Sequence, residues 1–217
     1  MSLLDIALNI VRRVRAKLNQ FRRERRWEHL RSQGMRLGAD VWLPDSTWID
    51  PDYCFLISIG DHCGFGADCL ILAHDAQMDE FLDAGRIGRV VIHESCHIGT
   101  RSVILPGVEI GPRTIVGANS TVSRSLPPDT VCMGNPARVI CTLEEYLAKH
   151  RKRIADSATF PYENAFPSDD LRLAMIDATK NRDAYVTGGR SAELRGEGGT
   201  PRTPPYLQTN WTTKIPE

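Results

Sequence analysis

The 217-residue sequence lacks net charge: 27 Lys and Arg offset 27 Asp and Glu. Without a basic excess it has none of the electrostatic footprint of a general nucleic-acid binder. It also lacks any apolar run near the ~18–20 residues of a membrane span, and Arg12 and Arg13 interrupt the apolar stretch that a signal peptide would need. The expectation from these absences is a cytoplasmic protein. The six cysteines (54, 63, 69, 96, 132, 141) include no C-x-x-C pair, so a zinc ribbon has no support.

What the sequence has is rhythm. From Ile92 to Pro127 it reads IHESCH, IGTRSV, ILPGVE, IGPRTI, VGANST and VSRSLP, with an aliphatic residue at 92, 98, 104, 110, 116 and 122. A helical period would scatter those residues, and a period of two would put Gly99, Pro106 and Asn119 on the same apolar face. Six residues make one short strand plus one corner of a parallel β-helix, in which each coil is covered only by the next. The fifth place of each hexad (Cys96, Ser102, Val108, Thr114, Ser120, Leu126) is mostly small, as a cramped second inward position requires. Cys63, Cys69 and Cys96 all fall there and read as buried spacers. Gly99, Gly111 and Gly117, just after the aliphatic residue, are expected to ease the chain around its corners.

The same hexads run from Leu37 (LGADVW, LPDSTW, IDPDYC) and resume at Ile59 (IGDHCG, FGADCL, ILAHDA) with a four-residue slip, which predicts an irregular coil near residues 52–57. At His74 the rhythm stops, and residues 74–89 (HDAQMDEFLDAGRIGR) form a polar expelled loop of the kind that carries function on a rigid scaffold. After Val122 the coil is expected to end in SRSLPP and Gly134-Asn135-Pro136.

The regions flanking the hexads differ. Residues 1–36 hold an amphipathic helix with Leu3, Ile6, Ala7, Ile10, Val11, Val14, Leu18 and Phe21 on one side. Nine Lys and Arg against three Asp and Glu through Arg31 make its other side basic. Such a helix suits an anionic membrane surface, giving weak peripheral association at the inner face through residues 1–31, but a solenoid needs an end cap, and the cap is the preferred reading. Residues 141–183 contain two helices, one opened by the capping box Thr142-Leu143-Glu144-Glu145 and one by Ser168. Residues 184–217 form an extended or disordered polar tail. The fold class is mainly β.

The hexads at 37–140, the words AHDA at 73–76 and VVIHESCHIGTRSVILPGVEIGPRTIVGANSTVSRSLPPDTVCMGNPARVI at 90–140 resemble the hexapeptide-repeat acyltransferases, in particular the galactoside, maltose and polysaccharide O-acetyltransferase branch. The resemblance implies a left-handed winding, a homotrimer with sites between subunits, acetyl-CoA as donor and no metal. It implies His74 as the general base, a role that suits an imidazole near neutral pH, with Asp75 or Asp68 orienting its ring. It implies a coenzyme groove at Thr100, Ala118, Ser123, Arg124 and Arg138. Asp50, Asp52 and Asp75 are candidates for contact with the acceptor, which the branch implies is a sugar hydroxyl on a polysaccharide, glycolipid or glycoside. An amino sugar and the serine hydroxyl remain alternatives. So do a zinc enzyme like the γ-class carbonic anhydrases, suggested by His62, His93 and His97, and a non-enzymatic scaffold tethered by the basic helix.

Overall fold

The structure, a computed structural model, describes residues 24–161 and 167–187. Two compact units divide the chain, residues 1–143 and 144–217.

The first unit is a three-faced parallel coil. Its first face stacks Arg36–Leu37, Ile57–Ile59, Val90–Ile92 and Glu109–Ile110; its second stacks Gly64–Phe65, His97–Ile98, Ile115–Val116 and Thr130–Met133; its third stacks Trp48–Ile49, Leu70–Ile71, Val103–Ile104 and Thr121–Val122. Within each face the register puts first-place residues on one another: Ile59 on Ile92 on Ile110, Phe65 on Ile98 on Val116, and Ile71 on Ile104 on Val122. All of these side chains are buried, each contributing about 1.5–3 kcal/mol relative to exposure. Main-chain bonds tie coil to coil, as from Gly66 N to Ile98 O and from Gly99 N to Val116 O, both 2.7 Å.

The corners depart from expectation. The glycines in second place do not have a positive φ; they sit where the next coil comes closest. A Cβ on Gly99 would lie 2.4 Å from Ala118 N, and one on Gly111 2.5 Å from Pro128 N. The left-handed turn falls instead in fourth place, at Asp40, His62, Asp68, Ser95, Arg101, Arg113 and Asn119, all with φ between 52° and 60°. Fifth-place residues do more than fill space. Cys63, Cys69, Cys96, Ser102 and Thr114 each donate to the carbonyl oxygen of a second-place residue in the following coil, respectively His93, Gly99, Gly111, Gly117 and Pro127. That geometry satisfies corner carbonyls that the ladder leaves open.

The four-residue slip contains a turn of 3-10 helix at Cys54–Leu56. Beyond Val122 the coil does not end. Leu126 bridges to Ile110 on the first face, and Val131 and Cys132 pair with Ile115 and Val116 on the second. The chain then turns back as Arg138–Thr142, antiparallel to Thr130–Met133, and covers that sheet edge. The four residues from Val122 to Leu126, where six are usual, shift the hexad phase and hide this last half-coil from a sequence reading.

At the other end, residues 24–32 are helical and bury Trp27 and Leu30 in the same cluster as Met35, Leu43 and Ile49. Arg26 donates through Nη1 to Asp45 O at 2.9 Å and through Nη2 to Thr47 O, taking up carbonyls of the first coil. The apolar stripe from Leu3 to Phe21 lies outside the described residues. Among those described, no helix is long and apolar enough to cross a membrane.

The helix Leu143–Ala155, which begins on the last residue of the first unit, is followed in the second by Thr159–Pro161, the helix Asp169–Ala178 and Tyr185–Thr187. Ser168 Oγ accepts from Leu171 N at 3.3 Å, the N-cap expected from the sequence. The two short strands pair in parallel, Phe160 opposite Val186. Residues 185–187 therefore belong to a β-α-β unit and not to the tail, a pairing of three-residue strands too short to give a period. The rest of the expected tail lies outside the described residues.

Candidate active site

The first two interruptions of the hexad rhythm lie at the same corner, where the chain passes from the third face to the first, in consecutive coils. Asp50 follows the third-face strand of one coil, and His74 follows that of the next. Asp50 is completely buried. Its Oδ1 accepts from Asp52 N and Tyr53 N, each at 3.2 Å, and its Oδ2 from Ala73 N at 3.0 Å. The remaining contact of Oδ2 is His74 Nδ1, at 2.5 Å. Three main-chain N–H groups already use the carboxylate as an acceptor, so the hydrogen in the fourth contact belongs to the imidazole. Nδ1–H donates to Asp50, the tautomer that in the neutral ring leaves the lone pair on Nε2.

The ring is held from a second side by Tyr53, whose centroid lies 4.9 Å from that of His74 at an interplanar angle of 38°. About a third of the His74 side chain (34%) stays exposed, enough for a reacting group to reach it. Cys54 is buried beside these residues. Desolvation, and then the charge of Asp50, push its thiol up from the ordinary value, which disfavours the thiolate a nucleophile would need. The arrangement can therefore remove and return a proton at Nε2, with no activated sulfur next to it.

Neither carboxylate expected to orient His74 does so. Asp75 Oδ1 accepts from Gln77 N at 2.9 Å, and Asp68 is an exposed corner residue with φ 59°. The role belongs to Asp50, which burial removes from the acceptor contacts expected for it; Asp52 is exposed. Tyr53 was not singled out by the sequence. Its signal was the phase slip itself, which inserts Tyr53 next to the expelled segment.

The expected coenzyme residues fall in three groups. Thr100 and Ala118 stack at the corner between second and third faces, where Asn119 N donates to Thr100 O at 2.9 Å. Ser123 and Arg124, both exposed, lie at the corner that carries His74, two coils further on. Arg138 begins the return strand, and its Nη1 donates to Ala137 O at 3.0 Å. A six-residue face spans at most roughly 20 Å, so one chain keeps Thr100 and Ala118 about a face-width from His74. Two histidines of the zinc reading have carboxylate partners within the chain: His93 Nε2 meets Glu109 Oε1 at 2.7 Å, and His62 Nδ1 lies 3.4 Å from Asp40 Oδ2. Among the described residues no group of three or more His, Cys, Asp or Glu could hold a metal ion.

A family model described as bacterial transferase hexapeptide (six repeats) matches residues 89–124. The chain is similar to YvoF of Bacillus subtilis, provisionally named an acetyltransferase, with 38% identity over 104 residues, 47% of this chain and 58% of YvoF. It thus spans somewhat more than half the length of that relative. It is also similar to WcaF of Escherichia coli, provisionally named a colanic acid biosynthesis acetyltransferase, with 34% identity over 131 residues, 51% of this chain and 71% of WcaF. Among solved structures, a hexapeptide-repeat acetyltransferase of Vibrio cholerae in complex with acetyl-coenzyme A gives a TM-score of 0.43 at 23% identity, covering 56% of this chain and 78% of that one.

Proposed function

Because the chain belongs to the hexapeptide-repeat acetyltransferase family, we propose that it moves an acetyl group from acetyl-CoA directly to a sugar hydroxyl, with His74 as general base. Nε2 takes the hydroxyl proton as the oxygen attacks the thioester carbonyl. The tetrahedral intermediate then collapses, the C–S bond breaks, and the imidazolium returns the proton to the departing sulfur. Asp50 keeps Nδ1–H in position throughout and steadies the transient positive charge. A base held in this way contributes ~10²–10⁴ in rate. The observation that carries the reading is the His74–Asp50 contact at the corner where the hexads are interrupted.

The same proposal calls for a trimer, with the family's left-handed winding. His74, Ser123 and Arg124 share one corner, while Thr100 and Ala118 share another. A thioester lying along the Thr100–Ala118 corner reaches an imidazole only if the corner that bears His74 comes from a second copy. In that groove, main-chain amides would hold the pantetheine arm, and Arg124 and Arg138 would meet phosphates as fixed cations.

The test is thiol release from acetyl-CoA with glycosides, polysaccharide fragments, amino sugars and serine as acceptors, together with mass spectrometry of the product. Acetyl esters on sugar are the expected product, and His74→Ala should abolish them while sedimentation still reports a trimer. Acetylation of amino groups alone would overturn the choice of acceptor. Full turnover by His74→Ala would overturn the choice of base.

A further inference from the structure

His74 stands in a strand of two residues, His74–Asp75, whose ladder partner among the described residues is Arg86–Ile87 at the far end of the expelled segment. A pair that short does not fix its own position. The middle of the segment gives it little support: Phe81 and Leu82 are 80% and 69% exposed. The segment's base, in contrast, is seated on the corner of the following coil. Gly88 N donates to Ala73 O at 2.9 Å, and Arg86 Nη2 reaches across to Pro106 O at 2.7 Å. Gly88 and Gly107 lie so close that a Cβ on Gly88 would fall 2.5 Å from Gly107 N. Gly107 itself has φ +80°, and a Cβ there would come within 3.0 Å of Arg86 Nη2. Leu105 N, bonded to Val122 O at 3.0 Å, anchors that corner to the coil beyond.

We propose that Arg86, seated on Pro106 and Gly107, is a positioning residue for His74, an inference that rests on the reading of His74 as the base. The imidazole is gripped from two coils. Asp50 holds its Nδ1 from the coil before, and Arg86 holds its strand from the coil after. Releasing the second grip lets the His74 strand drift on its two-residue ladder, and the Nδ1–H contact to Asp50 loosens with it. Arg86 touches neither substrate nor coenzyme in this scheme.

Arg86→Ala, Arg86→Lys and Gly107→Ala in the full chain test it through two readouts. The first is the split between kcat and KM. A base displaced by ångströms costs kcat about tenfold to a hundredfold, with the KM for acetyl-CoA held to about a factor of two because ground-state binding of the donor is untouched. The second needs no activity: the downfield proton resonance of the His74 ring N–H bonded to Asp50, identified by its loss in His74→Gln. It should fade in Arg86→Ala and in Gly107→Ala, and return in Arg86→Lys, whose ammonium can still donate to Pro106 O. Arg86→Ala removes an exposed side chain and should fold normally, so the decision rests on that variant. An unchanged resonance in Arg86→Ala overturns the proposal whatever the turnover. A lost resonance with turnover intact supports the seat and overturns the general-base reading instead.

Discussion

Asp50→Asn is the sharpest perturbation of the candidate site, because it keeps the shape of the side chain and changes only which atoms accept. In the native carboxylate, Oδ1 takes Asp52 N and Tyr53 N, and Oδ2 takes Ala73 N and His74 Nδ1. An asparagine can put its oxygen on only one of these sides. With oxygen toward Asp52 and Tyr53, its NH2 faces Ala73 N–H, which loses its acceptor at a cost of about 1–3 kcal/mol. The NH2 also faces His74 and donates to Nδ1, so the ring carries its hydrogen on Nε2 and has no lone pair for the acceptor hydroxyl. The opposite orientation preserves the tautomer but sets NH2 against two main-chain N–H groups. Two orphaned donors cost more than one, so the first orientation prevails and the imidazole is held in the wrong tautomer.

Two magnitudes follow. Turnover should fall by ~10²–10⁴, the worth of a positioned base. Stability should fall by about 1–3 kcal/mol, which for a chain of this size lowers Tm by roughly 2–12 °C. The assay is thiol release at saturating acetyl-CoA, with the melting curve measured on the same sample. Asp50→Asn combined with His74→Ala should be no slower than His74→Ala alone, since both act through one imidazole. Native turnover in Asp50→Asn would refute the reasoning, because it would mean that the tautomer set by Asp50 has no part in catalysis.

The corners make a paired prediction. Gly99→Ala forces a Cβ to 2.4 Å from Ala118 N and should destabilise by about 1–3 kcal/mol as an overpacked site, whereas Asn119→Gly, at φ 58°, relieves a left-handed residue of about 1–2 kcal/mol of strain at some entropic cost and should leave Tm nearly unchanged. Equal losses in the two variants would contradict the assignment of close approach to second place and the turn to fourth. The thiols give another test. Five cysteines are buried and Cys141 is partly exposed, so an aromatic disulfide reagent should titrate one thiol quickly in the native protein and the rest only on unfolding. The hydrogen bond with Cys63, and then burial, hold Cys96 well above its ordinary value, and desolvation raises Cys69 and Cys132. Raising the pH through the range in which free thiols ionise should therefore not recruit these three in the native protein.

How much of this could be read from the sequence depends on whether a residue type has one physical use or several. First-place aliphatics have one, burial, and the register of the three faces could be read from them. Fifth-place Cys, Ser and Thr are small, and they are also donors. Val108 in the same place hid the second property, and so did Leu126, which counts as fifth only until the shortened last passage moves it onto the first face beside Ile110. The glycines after the aliphatic residues drew attention to the right positions for the wrong reason. Their missing Cβ admits the next coil, while the turn itself is made by Asp, His, Ser, Arg and Asn, residues that also populate any solvated surface. His74 was identifiable as the residue at which the rhythm stops. Its partner was not, since a sequence gives the height of a residue in the coil only after every insertion has been assigned to a corner.

That assignment explains why the site lies where it does. The passages from first to second face and from second to third keep their six-residue spacing, as in Ile59 to Phe65 to Ile71 and Ile92 to Ile98 to Ile104. Irregularity is confined to the passage from third face to first: ten residues from Ile49 to Ile59, twenty-one from Ile71 to Ile92, six from Ile104 to Ile110 and four from Val122 to Leu126. Coils stack at the strand spacing of about 4.8 Å, so the first two departures lie directly on one another, and the one regular passage, through Pro106 and Gly107, lies directly above them. The longer chain in the first passage turns Asp50 and Tyr53 toward the second, the second brings out His74, and the third supplies the floor on which Arg86 rests. Two edges of the prism remain strictly periodic and hold the coil in register, which is what allows the third edge to depart from the repeat three times and still bring residues twenty-four positions apart within hydrogen-bonding distance.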